Sequence, residues 1–297
     1  MTLRTTAVVS AMVMLAGTTF LAQTGTWQVL MYPDPAPGVP RAWCLGINEA
    51  GSMVGYYVVP GTPNRAFLLT KGKYYGLHPT GATNSSAWGI NARGDIVGDY
   101  WIGTQEHGFL LRNNNEFVTI DLDGRAMAHL RDINARGDIA GFYMTTPTSP
   151  QVGFVLSSDG TLVEVQYPDA AYTVLVGIND NGDVAGVYRD PAPGTAIHGF
   201  VRTRAGDFIP LDFPDASETQ AQKIAANGDV IGYFWDSGTP RTSHGFVWRR
   251  GIFEAFDYPG AVHTMIHGLN NQGETCGMMS FTPLGTAPVW GGFANVW

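Results

Sequence analysis

The residues of this chain best suited to hold or transform a polar molecule stand at matched places in six similar segments. Immediately before Gly46, Gly89, Asp132, Gly177, Lys223 and Gly268, alternate positions read Trp43 and Leu45, Ser86 and Trp88, His129 and Arg131, Val174 and Val176, Gln220 and Gln222, and Met265 and His267. Two residues further upstream come Arg41, Asn84, Met127, Tyr172, Glu218 and His263. Side chains alternate across a strand, so each of these sets shares one face. The intervening face is small or apolar in all six segments, from Ala42 and Cys44 to Thr264 and Ile266, and reads as packing.

Flat aromatic rings mixed with amide, imidazole and guanidinium groups are what a glycan or a small polar ligand needs, because they combine apolar faces with oriented donors and acceptors. The ligand-binding candidates are therefore Trp43, Trp88, His129, Arg131, Tyr172, Glu218, Gln220, Gln222, His263 and His267. The alternative is that each pair only fills its own gap between sheets. A deep pocket in which His129, Arg131, His263 or His267 faces Glu218 would favour catalysis. A shallow aromatic groove would favour glycan binding, and a flat apolar patch a protein partner.

Other constellations are weaker. His107, His198 and His244 open equivalent strands, but the remaining segments place Arg65, Val152 and Gly291 there, which fits a structural hydrogen bond better than a metal centre. The run Asn179 to Asp183 resembles a calcium loop only in part, since its glycine comes early and no twelfth-position Glu follows. Asp121 with Asp123, or Asp212 with Asp215, has the composition of a glycosidase carboxylate pair, yet sits where Asp commonly accepts turn amides. Nucleophile elbows, HExxH, phosphate loops and dinucleotide fingerprints do not occur, so no metal site and no cofactor is expected, and catalytic residues stay unassigned.

The elements that must position these residues follow from the repeat. GINARGDIVGDY at 89 to 100 returns as DINARGDIAGFY at 132 to 143, and with degraded copies the string occurs six times in all, once every 43 to 46 residues. Each unit holds four short strands bounded by Gly, Pro, Asn or Asp, with the tight connections of antiparallel hairpins. In Asn91-Ala92-Arg93-Gly94-Asp95 the Asn can hold the turn while Gly94 takes a positive φ, and Ala225 breaks the pattern in the fifth unit. Prolines at 33, 79, 168, 214 and 259 end the second strand, with Gly124 in that role in the third unit.

Four antiparallel strands per unit of this length predict an all-β fold, a six-bladed β-propeller. The first unit carries its own opening strand, 26–32, and no polar capping unit stands at either end, so ring closure is expected over an open stack. The approximate units are 26–70, 71–113, 114–157, 158–203, 204–249 and 250–297, in one domain. The two cysteines, Cys44 and Cys276, lie in the first and last units and become neighbours only if the ring closes. A disulfide would suit that junction, although both also read as small buried hydrophobes.

The strings GINEAGSMVGYY, GINARGDIVGDY and GINDNGDVAGVY, the HGF triplets at 107, 198 and 244, and FPDA or YPGA at 213 and 258 resemble the HAF family of extracellular repeat proteins. The likeness spans nearly the whole mature chain. It implies export and a propeller-like fold, and it brings neither a settled activity nor catalytic residues.

Composition sets the remaining bounds. Of the 297 residues 44% are hydrophobic and 14% charged, which argues for a folded chain, and a net charge of −8 without a basic run argues against nucleic acid as a partner. Residues 1–25 carry Arg4, an apolar run from Ala7 to Gly17 and small polar residues, the pattern of a secretory signal peptide with an unsettled cleavage point. No later segment is long and apolar enough to span a membrane as a helix. The expectation is a secreted or periplasmic monomer that binds a glycan or small molecule without converting it. The alternatives are an enzyme using the same mouth, a polysaccharide lyase or hydrolase or a small-metabolite cyclase, and a protein-interaction scaffold.

Overall fold

The computed structural model describes residues 26–30, 42–58, 61–113, 115–123, 125, 127–282 and 290–296. The expected signal peptide and the positions Pro33, Arg41 and Gly124 lie outside them. Among these residues the regular elements are all strands: β1 (Thr26–Leu30), β2 (Ala42–Ile47), β3 (Met53–Tyr57), β4 (Arg65–Thr70), β5 (Lys73–Gly76), β6 (Asn84–Ile90), β7 (Ile96–Ile102) and β8 (Gln105–Leu111). They continue with β9 (Phe117–Ile120), β10 (Met127–Ile133), β11 (Ile139–Met144), β12 (Val152–Leu156), β13 (Leu162–Val165), β14 (Tyr172–Ile178), β15 (Val184–Arg189) and β16 (Ile197–Arg202). The last are β17 (Phe208–Leu211), β18 (Glu218–Ile224), β19 (Val230–Trp235), β20 (Ser243–Arg249), β21 (Ile252–Ala255), β22 (His263–Leu269), β23 (Thr275–Ser280) and β24 (Trp290–Val296). No helix among the described residues is long and apolar enough to cross a membrane.

Apart from one parallel bridge, the strand pairing is antiparallel, as the hairpin turns require. Strands β2 to β5, β6 to β9, β10 to β13 and β14 to β17 form four separate four-stranded sheets. The remaining eight strands make one sheet, which departs from the six separate sheets that the repeat count predicts. The join is a single parallel bridge between β20 and β22, Ser243 against His263. Beside it the buried His263 ring meets Ser243: its Nδ1 accepts the Ser243 N–H at 3.1 Å and lies 3.2 Å from Oγ.

The sheets stand around an axis. The inner strands β2, β6, β10, β14, β18 and β22 touch in succession, and β22 touches β2. Closure uses both ends of the chain: β1 pairs with β24, Thr26 against Val296 through Leu30 against Gly292, so each sheet is offset by one strand from the sequence repeat. Cys44 and Cys276 are disulfide-bonded across this junction, with Cα atoms 5.7 Å apart. The fold is an all-β β-propeller.

The core repeats with the sequence. The phenylalanine of each HGF-like triplet, Phe67, Phe109, Phe154, Phe200, Phe246 and Phe293, is fully buried. Loss of one such ring would cost about 3–5 kcal/mol. The Asn at five of the six turns has two tasks. Its Oδ1 caps the turn, as when Asn91 accepts from Arg93 N at 3.0 Å and Asp95 N at 2.9 Å. Its Nδ2 reaches the next repeat: Asn48 donates to Asn91 O, Asn91 to Asn134 O, Asn134 to Asn179 O, Asn179 to Ala225 O, and Asn270 to Asn48 O, at 3.0 to 3.2 Å. Five of six links close a hydrogen-bonded hoop around the axis. The link from 225 to 270 is missing because Ala225 has no amide to give.

Candidate functional site

The variable face of the inner strands continues onto the second strands. In register, Trp43 lies opposite Tyr56, Ser86 opposite Asp99, His129 opposite Phe142, Val174 opposite Val187, Gln220 opposite Tyr233 and Met265 opposite Met278. Opposed residues in a sheet share a face. The glycine just before each second-strand residue makes the approach possible: a Cβ on Gly98 would collide with the Ser86 carbonyl, and one on Gly141 with that of His129.

On one side of the axis an aromatic run leads into a charged cluster. Trp43 meets Tyr56 edge-on at 4.5 Å, and Tyr56 lies 6.5 Å from Trp88. The Arg131 guanidinium sits 3.7 Å above the Trp88 ring and 5.2 Å from Phe142. His129 stacks on Phe142 at 4.3 Å. Its Nδ1 lies 2.9 Å from Glu106 Oε1 and 3.6 Å from Asp99 Oδ2, and Asp99 Oδ2 also accepts the Trp88 indole N–H at 2.7 Å. Across the axis, Tyr233 donates to Gln220 Oε1 at 2.7 Å, and His267 Nδ1 lies 3.1 Å from Gln222 Oε1. With Nδ1–H donating to that amide oxygen, His267 Nε2 is left as the lone-pair side of the ring. That atom is buried without a hydrogen-bond partner.

Electrostatics join the two sides. Arg131 interacts with Asp99, Glu106, Tyr233 and Tyr56, yet among the described residues no acceptor takes a hydrogen bond from its guanidinium. Burial first, then the charges of Arg131 and Lys223, hold the His267 imidazole down at about 3, so the ring is neutral across the physiological range. Burial raises the Tyr56 and Tyr233 hydroxyls well above the usual phenol value, which keeps them protonated. Burial also lifts the Glu106 carboxyl, against the pull of His129. His129 feels burial downward, and the carboxylates Asp99 and Glu106 outweigh it to raise the imidazole.

Of the ten residues singled out from sequence, Trp43, Trp88, His129, Arg131, Gln220, Gln222 and His267 belong to these two linked groups. Tyr172 and Glu218 stand at the starts of their inner strands, where Glu218 Oε1 pairs with Arg241 at 3.3 Å and does not meet His129, Arg131 or His267 in any hydrogen bond or ion pair among the described residues. His263 is fully buried at the β20–β22 bridge, tilted against Trp235 and Trp290. Tyr56, Asp99, Glu106, Phe142 and Tyr233 were not reached from sequence, because they lie on second or third strands. A signal existed for Asp99: its matched positions hold Tyr56, Phe142, Val187, Tyr233 and Met278, so a carboxylate stands alone among apolar and aromatic residues.

The repeated histidines of the HGF triplets are structural. His107 contacts Asp121 at 3.0 Å, His198 contacts Asp212 at 2.8 Å, and His244 contacts Asp257 at 2.9 Å, while the rings stack on Tyr100, Tyr188 and Phe234. Asp121 and Asp212 are thereby engaged in the sheets. Asn179 Oδ1 accepts from Asn181 and Asp183 backbone amides, so the calcium-like run is a turn.

At the far end of the inner strands the axis narrows to a cavity of about 70 Å³ lined by all six Asn-type turns. Where four repeats have glycine, Asp132 and Lys223 pair here at 2.6 Å. Burial pushes Asp132 up and Lys223 down while their mutual attraction opposes both. Asp132 also accepts from Ile178 N at 3.0 Å, and Lys223 Nζ donates to Arg131 O at 3.3 Å, which ties this pair to the backbone of the site residue.

No family model matches the chain, and no curated protein matches it. Solved structures do. Virginiamycin B lyase from Staphylococcus aureus aligns with a TM-score of 0.51 at 15% identity, over 93% of this chain and 89% of that one. A gluconolactonase from Xanthomonas campestris aligns at 0.51 and 10% identity, over 92% and 90%. The β-propeller domain of the trilobed protease from Pyrococcus furiosus gives 0.52 at 10% identity, over 86% and 96%. At these identities the likeness establishes the propeller fold alone.

Proposed function

We propose that this chain is an exported enzyme that binds a small polar molecule carrying an anionic or carbonyl oxygen in a central chamber, which we place between the two linked groups of inner-strand residues, and breaks a bond in it as a lyase or hydrolase. The observation that carries this reading is the Arg131 guanidinium, stacked on Trp88 and hydrogen-bonded to no acceptor among the described residues, beside the Asp99, Glu106 and His129 group. A half-buried guanidinium that keeps free donors offers an incoming oxygen anion charge-assisted hydrogen bonds. The same donor would favour an enolate or tetrahedral oxyanion over the neutral substrate, which is how such a site lowers a barrier. His267 Nε2 accepts a hydrogen bond from the ligand's donor, and Trp43, Tyr56 and Trp88 supply the flat wall. The fold supports this reading in that its relatives include a lyase and a gluconolactonase.

In this reading the eight-stranded sheet counts as two blades joined at one bridge, six blades in all, and the chain is a member of the HAF family with residues 1–25 as its export signal. The test is turnover by the purified protein of a panel of lactones, cyclic esters and uronate-containing glycans, followed by mass spectrometry. Arg131→Ala should lower kcat/KM by at least 100-fold on any substrate found. A second reading, a non-catalytic glycan receptor, is favoured by the Trp43, Tyr56 and Trp88 run. It holds if the protein binds a sugar in a thermal-shift screen and turns over nothing.

A further inference from the structure

Asp99, Glu106 and His129 come from the second and third strands of one sheet and the inner strand of the next, and each offers one ligand atom within 4.8 Å of the other two. They are secluded: the Asp99 and Glu106 side chains are 2% and 1% exposed, and that of His129 is 12%. What distinguishes the group from an ordinary ion-pair cluster is its hydrogen bonding. Asp99 Oδ1, both Glu106 oxygens and His129 Nδ1 are buried without a hydrogen-bond partner, so the 2.9 Å approach of Nδ1 to Glu106 Oε1 is a charge contact that lacks hydrogen-bond alignment. Buried polar atoms left this way are destabilising, and more so when charged, unless something absent from the protein chain satisfies them.

We infer that Asp99, Glu106 and His129 form a binding site for one divalent transition-metal ion, with Mn²⁺ and Zn²⁺ the best-suited ions. The separations fit. Two donors each about 2.0–2.2 Å from an ion and roughly 90–110° apart lie about 2.8–3.6 Å from one another, and the observed contacts of Nδ1 are 2.9 and 3.6 Å. One imidazole with two carboxylates suits Mn²⁺ or Zn²⁺ better than the all-oxygen shells that Mg²⁺ and Ca²⁺ prefer. The Trp88 N–H on Asp99 Oδ2 fixes that carboxylate, the kind of outer support that tunes metal affinity. Three protein donors leave at least one coordination position open. The site goes beyond the proposed reaction, since an ion can reside there whether or not the chamber is catalytic.

The test is titration of the chelator-treated full-length protein with MnCl₂ and with ZnCl₂ by calorimetry. One ion per chain is expected, at least 30-fold weaker in Glu106→Gln and in His129→Gln, and about tenfold weaker in Trp88→Phe, while Asp257→Asn at the surface His244 pair binds as the parent does. Anomalous scattering from Mn²⁺-soaked crystals of the unmutated protein gives a readout independent of any variant's folding, with the peak expected between the three ligand atoms. Absence of binding by the parent, a peak elsewhere, or unchanged affinity in both Glu106→Gln and His129→Gln would overturn the site. An ion bound without turnover of any substrate leaves this inference standing and sinks only the enzymatic reading.

Discussion

The Arg131 guanidinium rests 3.7 Å above the Trp88 indole while that indole donates its N–H to Asp99. One aromatic ring thus orients a cation on its face and an anion at its edge. The arrangement keeps the opposite charges close without letting them form a closed salt bridge, so both retain capacity for a third party. Separation of this kind is expensive in a buried site and has no obvious use in packing alone.

Arg131→Ala should abolish capture of any anionic ligand of the chamber and move the melting temperature by only a few degrees, because the cation–π contact is worth about 0.5–2 kcal/mol. Isothermal titration beside a thermal melt separates the two effects. A collapse of melting in this variant would reassign Arg131 to packing.

His267 should make stability depend on pH. Its folded value of about 3 lies far below that of an unfolded histidine, so between the two the unfolded chain binds more protons. Stability is therefore fully present above about pH 6.5 and falls as acid is added, by up to about 1.4 kcal/mol per pH unit down toward pH 3. Urea melts from pH 7 to 4 should show this slope, and His267→Gln should flatten it. Equal slopes in both proteins would mean that the ring is solvated.

The paired ions on the axis predict a non-additive result. Lys223→Met leaves Asp132 buried and uncompensated, and should cost about 3–5 kcal/mol. The double variant Asp132→Gly with Lys223→Gly restores the residue found in the other four repeats and should lose less than the single change. Chemical denaturation of the set measures the coupling.

The incomplete hoop of asparagines offers a gain. Ala225→Asn places an amide where the link to Asn270 O is missing, and should stabilise the fold by about 0.5–1.5 kcal/mol in equilibrium melts. A neutral or negative effect would show that the Asn227 cap on Asp229 N, at 2.9 Å, already fixes this turn in an incompatible shape.

Most of the architecture was legible from the repeat. Turn chemistry at Asn91 and Gly94, the buried phenylalanine of each triplet, and the alternation of small and variable faces are local and periodic, so one unit explains the others. The site was half legible. Residues of the inner strands, such as Trp88, His129 and Arg131, stand in series in the sequence. The partners of His129, Asp99 and Glu106, come from the neighbouring sheet, and only the packing of one sheet on the next decides which side chains meet. His263 misleads for the same reason: it shares the parity of His267, and a bridge to Ser243 draws it out of the chamber. The sheet count also lay beyond the sequence, because one backbone bridge merges what the repeat counts as two.

The first strand of the ring finds its partner only in the last. Until the ribosome has delivered β24, β1 has no edge to join, and the final sheet stays one strand short. A chain built this way cannot complete its ring until its last strand has been made. The same geometry places the two extremities of the ring side by side, so a tension applied to them loads the β1–β24 seam and the Cys44–Cys276 bond before any other sheet feels it.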